Sequence, residues 1–230
     1  MTQAGPLRWR TGTGWLVLAG GGRWQEGETG EIDAAALGWA NLDRPIAVLP
    51  TAGVSTAGVE ALLEYYADLG GPGGYVVPIF DTAGAQRAEN CHLLAEAGLV
   101  YISDGPDPLG LVRSLRGNPA LGALAQAFDA GAAVVGMGAG AIALGAWAAG
   151  GDNPEQTESG WGWLPGVIVE PHFVKTEATG RLRSLLNVHS DCLGLGIPAG
   201  VALALGPDGR VETVGPGQVT VVVGKMEESS

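Results

Sequence analysis

Basic residues are scarce in this 230-residue chain: 12 Lys+Arg stand against 24 Asp+Glu, for a formal net charge of −12. Binding to a phosphate backbone or an anionic bilayer draws on clustered Lys and Arg, so composition excludes nucleic acid and membrane surfaces as partners. Charge of either sign is thin, at 16% against roughly 25% in an ordinary soluble domain. Cysteine is nearly absent, and Cys91 and Cys192 cannot make a disulfide framework. His92, His172 and His189 share no metal-ligand spacing, so no metal site is expected. The opening residues, MTQAGPLRWRTGTG, are polar and lack the apolar core of a secretion signal. A soluble, cytoplasmic chain is the expectation.

Apolar residues and glycine fill the space left by charge. Hydrophobic residues make up 46% and glycines number 40, well above the usual glycine share of roughly 7%. The glycines follow no three-residue period, which excludes a collagen-like chain, and the apolar content excludes disorder. The uncharged run 130–151 is long enough to span a bilayer, which takes about 20 residues. Its glycines at 131, 136, 138, 140, 145 and 150 argue instead for a buried strand, a tight turn and a buried helix.

Short aliphatic runs alternate with helix-like stretches. Strands are expected at 15–20, 45–50, 74–80, 99–105 and 132–137, with helices near 59–69, 84–97, 109–116, 119–130 and 139–149. Leu62, Leu63, Tyr66 and Leu69 share one helical face, and Gly70-Gly71 stops that helix. Nearly continuous apolar strands between helices imply a parallel sheet covered on both faces. After about residue 165 the connections shorten, Asp208-Gly209 marks a hairpin, and antiparallel strands are expected to extend the same sheet. No linker or repeat interrupts 1–230, which reads as one domain with a frayed tail from Glu227.

Ligands of open parallel sheets bind at the carboxyl ends of the strands. There the run Gly136-Met137-Gly138-Ala139-Gly140-Ala141 passes from strand to helix. A dinucleotide fingerprint belongs on the first strand of its unit and is followed by an acid about 20 residues later. Neither condition holds, and no cofactor is expected. A nucleophile elbow, G-x-S-x-G, fits every position but the centre, where the serine is Gly138.

With these motifs in view, the chain resembles the serine peptidases that include cyanophycinase and the aspartyl dipeptidases. The stretch WGWLPGVIVEPHFVKTEATGRL (161–182) is similar to that family's G-L-G-L-L-P-G-V-I-V-D-Q-H-F segment and its trailing arginines. The resemblance implies a class I glutamine amidotransferase-like fold: an α/β, flavodoxin-like three-layer sandwich around a mostly parallel sheet. It also implies enzymes that use an elbow serine and the histidine of this segment to cleave bonds next to aspartate. The family's serine falls on Gly138, while its histidine is kept as His172 within Glu170-Pro171-His172-Phe173. Its arginines fall on Thr176 and Ala178, leaving Arg181, and its G-I-D-E-G-T-A segment falls on 196–202 with Pro198 and Ala199 in place of the acids. Its G-G-D-Q turn falls on Gly105-Pro106-Asp107-Pro108, where proline, which has no amide hydrogen, removes a donor from the oxyanion hole. The catalytic positions implied are therefore His172, Gly138 and Ala199, and the binding positions Gly105, Asp107, Ala139, Glu170 and Arg181; of the catalytic three, His172 alone is chemically competent.

A glycine has no atom with which to attack, so the expectation is a degenerate relative without serine-peptidase activity. It would keep a cleft for a small molecule or peptide and pair with a second copy as a homodimer. The contrasting expectation is a hydrolase with a relocated nucleophile among Ser103, Ser55, Thr51 and Cys91. Ser103 ends a strand at the correct edge; Ser55 and Thr51 read as helix caps, and Cys91 as a buried thiol. Asp152, Glu155 and Glu158 follow the elbow helix and read either as cleft lining or as a solvated loop. Trp147, Trp161 and Trp163 read either as an aromatic wall or as packing across the late strands, Trp161 and Trp163 alternating as a strand would.

Overall fold

A computed structural model describes residues 6–53, 55–150, 156–175 and 178–224. In chain order it contains β1 (Trp15–Ala19), α1 (Gly30–Trp39), β2 (Ile46–Leu49), α2 (Thr56–Asp68), β3 (Gly74–Val76), α3 (Thr82–Gln86), α4 (Ala88–Ala95), β4 (Leu99–Ile102), α5 (Pro108–Leu115), α6 (Pro119–Asp129), β5 (Ala133–Met137) and α7 (Ala139–Leu144). There follow β6 (Trp147–Ala149), β7 (Thr157–Ser159), β8 (Val167–Glu170), α8 (Ala178–Val188), β9 (Leu193–Gly196), β10 (Ala202–Leu205), β11 (Val211–Val214) and β12 (Thr220–Val223). Local chemistry sets the boundaries: the Ser55 hydroxyl caps α2 by accepting from the Gly58 amide, and prolines open α5 and α6 where an amide hydrogen would go unused.

The main sheet has seven strands in the order β11-β10-β1-β5-β4-β2-β3. Its centre, β1-β5-β4-β2-β3, is parallel, and β10 and β11 add an antiparallel hairpin turned at Asp208 and Gly209. Alternate residues of the strands point to opposite faces. Val17, Val48, Tyr101 and Val135 pack on α1 and α2. Leu16, Leu18, Leu49, Ile102 and Val134 pack under α3 to α7. The result is a three-layer α/β/α fold. Along α2, Leu62 and Tyr66 are buried as their spacing requires, whereas Leu69, lying beyond the last turn, is exposed.

Two expectations about the C-terminal part are corrected. The helix expected over 139–149 ends at Leu144, because Gly145 is clamped from the side. A Cβ on Gly160 would lie 2.2 Å from the Gly145 carbonyl oxygen, and the Trp161 and Gly162 amides donate to Ala143 and Gly145. The chain therefore leaves the helix at once and enters β6. Nor do all the late strands join the main sheet: β6 and β7 combine with β8, β9 and β12 in a second, five-stranded sheet of order β12-β9-β8-β6-β7. Helix α8 closes the outer side of that sheet with Leu182, Leu185 and Leu186, while Val167, Val169 and Leu195 face the main core. Among the described residues only β10 and β11 extend the first sheet. Among the described residues no helix is long and apolar enough to cross a membrane.

Candidate active site

Three strand ends converge at the carboxyl edge of the main sheet. Strand β5 ends at Met137, and Gly138, with its amide donating to the Ala19 carbonyl, turns the chain into α7 at φ 47° and ψ −104°. Strand β4 runs through Ser103 into Asp104 and Gly105. Beyond β8 come Pro171 and His172, whose amide donates to the Gly20 carbonyl at the end of β1. His172 holds φ 51°, one of two positive values among the described non-glycine residues. Such backbone costs about 1–3 kcal/mol and is found where surroundings enforce it, often at sites.

The Asp104 carboxylate ties these ends together. Its Oδ1 accepts from the amides of Gly105 at 2.8 Å and Ala139 at 2.9 Å, and its Oδ2 lies 2.8 Å from His172 Nε2. A Cβ built on Gly138 would sit 2.1 Å from the Asp104 carboxyl carbon. The carboxylate thus fills the space into which any side chain at 138 would project. Beside this triad of contacts the buried Glu170 forms an ion pair with Arg181 from α8. Asp104, Gly105, Ala139, Ile142, Glu170, Pro171, His172 and Arg181 enclose a cleft of about 420 Å³.

Of the residues expected from the sequence, Gly105, Gly138, Ala139, Glu170, His172 and Arg181 gather here. Asp107 and Ala199 do not. Asp107 caps α5 by accepting from the Gly110 amide, as an acid directly before an N1 proline is suited to do. Ala199 is exposed in the turn between β9 and β10. Pro106 and Pro108 carry no amide hydrogen, and the nearby Gly105 and Ala139 amides converge on one oxygen, Asp104 Oδ1. Asp104 is the residue that sequence reasoning passed over, though an acid directly after an apolar strand at this edge was a signal.

The other nucleophile candidates stand apart from His172. Ser103 is buried and lines a separate pocket beyond Asp104, with Trp24, Tyr101 and Met137. Thr51 is no helix cap, since its hydroxyl donates to the Ile79 carbonyl. Cys91 sits in α4, where burial pushes its thiol pKa up. Glu158 pairs with Arg113, and Asp152 and Glu155 lie outside the described residues. Trp161 and Trp163 are buried in the main core outside any strand, Trp163 against Phe128, and Trp147 stacks on His189.

The electrostatics follow from these contacts. Burial pulls the Asp104 pKa up, but the hydrogen bonds from His172 and the two amides outweigh it and hold it below 3.8. His172 is raised above 6.5, by its hydrogen bond to Asp104 against the opposing effect of burial, with the Asp104 and Glu170 charges adding to the rise. A lowered acid stabilises the fold above its ordinary pKa and loses that contribution as pH falls through the folded value; a raised base does so below its ordinary pKa and loses it as pH rises. The pair therefore contributes most between about 3.8 and 6.5. NMR titration of the His172 ring protons should give a midpoint above 6.5, and Asp104→Asn should lower it; an unmoved midpoint would show that Asp104 is not its partner.

Comparison with known proteins adds ancestry to geometry. The model of the family described as Peptidase family S51 matches residues 16–212. The cyanophycinases of Synechococcus elongatus and Thermosynechococcus vestitus are each 31% identical over 191 residues, covering 79% of this chain and 59% of theirs. The chain thus spans about three-fifths of the length of these curated relatives. Among solved structures, a peptidase from an acI-B1 Actinobacterium superposes with a TM-score of 0.69 at 25% identity, covering 94% of this chain and 97% of its own. A putative peptidase E from Listeria monocytogenes EGD-e gives 0.64 at 17% identity, covering 89% of this chain and 99% of its own, a likeness of fold.

Proposed function

The chain belongs to peptidase family S51, and on that premise we propose that it is a member without serine-peptidase chemistry that keeps its elbow cleft as a small-molecule site. One observation carries the reading: the Asp104 carboxylate occupies the space beside Gly138 and holds both converging amides. Serine catalysis needs a hydroxyl within reach of a base and a free pair of donors for the developing oxyanion. Here position 138 offers no hydroxyl, the base is held by Asp104, and the donors are taken. Loss of a nucleophile from such machinery removes most of the rate, leaving about 10³–10⁴ over water in the best-studied hydrolases.

A fluorophosphonate probe is expected to leave the chain unlabelled, and aspartyl dipeptides are expected to remain uncleaved from about pH 5 to 9. Stoichiometric labelling that disappears in Ser103→Ala would overturn the reading in favour of a relocated serine. On the binding side, a small molecule seated in the cleft should raise the melting temperature, and His172→Ala should abolish the rise. The single-domain organisation over 1–230 and a cytoplasmic location belong to the same proposal, as does pairing into a homodimer.

A further inference from the structure

We propose that Asp104 is itself a nucleophile: its carboxylate attacks a saturated carbon bearing a leaving group that departs as a stable anion, and His172 then directs water onto the resulting ester. This rests on the reading above, that position 138 supplies no serine. Carboxylates are competent covalent nucleophiles when positioned against the reacting atom. Asp104 stands at the cleft wall with its side chain 36% exposed, so a ligand can reach it, and His172 beside it is 54% exposed. The two carboxylate oxygens are differently held. Oδ1 is fixed by two amides, and Oδ2 meets only the imidazole.

That asymmetry selects the substrate class. Attack on an acyl group creates an oxyanion on the substrate, which needs donors, yet the Gly105 and Ala139 amides already hold Oδ1. Displacement at saturated carbon creates no oxyanion in the first step. Oδ2 forms a bond to carbon, the carbon–halogen bond breaks, and halide leaves with the electron pair. The ester has no charge on Oδ2, so the exposed imidazole exchanges its proton through solvent to Nδ1 and frees Nε2. Water then attacks the Asp104 carboxyl carbon and gives a proton to Nε2. The negative charge now develops on Oδ1, where both amides already point. Collapse expels Oδ2 with the alkyl group as alkoxide, which takes the proton from Nε2 and leaves as alcohol. The water oxygen replaces Oδ2, and the carboxylate is restored. The sum is alkyl halide plus water giving alcohol, halide and a proton. Ala139, Ile142 and Pro171 supply the apolar part of a mixed cleft wall, which a short alkyl group can meet beside the paired Glu170 and Arg181.

The test uses the native chain with 1-bromopropane in ¹⁸O-water. The expected result is bromide release above the buffer rate, oxygen-18 in the peptide carrying Asp104, and unlabelled propanol from a single turnover. Asp104→Asn should abolish both release and labelling. His172→Gln should slow ester hydrolysis roughly a hundredfold or more, so that a propyl adduct accumulates on Asp104. Absence of oxygen-18 from Asp104, or alkylation confined to Cys91, would overturn the proposal while leaving the loss of serine chemistry standing. Fluorophosphonate labelling of a serine would instead overturn the reading on which the proposal rests. The isotope measurement needs no variant, so it decides even if His172→Gln does not fold.

Discussion

Gly138→Ser should destabilise the protein by roughly 2–4 kcal/mol without creating a peptidase. A serine Cβ at this position would stand 2.1 Å from the Asp104 carboxyl carbon, closer than any non-bonded pair tolerates. Asp104 must then rotate away and give up two amide hydrogen bonds and one to His172. Hydrogen bonds to a charged group are worth about 1.5–3 kcal/mol each, and solvent at this part-exposed wall returns some of that. The backbone adds to the cost, because φ 47° with ψ −104° is glycine's territory. Asp104→Gly in the same chain should recover at least about 1 kcal/mol of the loss, since contacting residues do not contribute additively. Urea unfolding of the two single variants and the double variant closes the cycle. Additivity within about 0.3 kcal/mol would mean that Asp104 and Gly138 do not share the space. A Gly138→Ser chain as stable as the native one and labelled by a fluorophosphonate would show that the carboxylate yields readily to a serine.

Much of this fold was legible because it is local. Aliphatic runs such as 15–20 and 132–137, each closed by glycine, read as buried strands, and Asp208-Gly209 announced the hairpin between β10 and β11. What was illegible is contact across the sequence. No periodicity in 139–149 reveals that Gly160 will press on Gly145 and cut the helix short. Nor does any feature of 167–170 say that it will pair with β6 and β9 rather than with β10. The site divides in the same way. Gly138 and His172 were readable from the elbow frame and the E-P-H-F segment, each a contiguous pattern. Asp104 was signalled only as an acid after an apolar strand, because its role depends on a side chain missing from another strand end. Asp107 was drawn into the site by the resemblance of 105–108 to the family's G-G-D-Q turn, while Pro108 beside it already marked a helix start.

The largest structural effect should come from beneath the site. Asp33 in α1 is fully buried and accepts from Thr29 at 2.7 Å, Tyr66 at 2.7 Å and Tyr65 at 3.2 Å. It ties α1 to α2, and Tyr66 in turn meets Tyr101 edge-on in β4, the strand that delivers Asp104. Asp33→Ala would strand the buried hydroxyls of Thr29 and Tyr66, each at about 1–3 kcal/mol, for a total of roughly 3–5 kcal/mol. Asp33→Asn keeps an accepting oxygen and should cost less, about 1–2 kcal/mol. Burial lifts the Asp33 carboxyl above 3.8, against the pull of Thr29, Tyr66 and Tyr65. An acid whose folded pKa is raised binds more protons folded than unfolded between the two values, so the native chain loses stability as pH climbs through that window. The Asn variant has no such loss, and its deficit relative to the native chain should shrink as pH rises above about 3.8. Urea midpoints measured across that range carry the test. A deficit that widens with pH would mean the carboxylate is better solvated folded than unfolded, and an Asp33→Ala cost below about 1 kcal/mol would mean that other contacts hold α1 on α2.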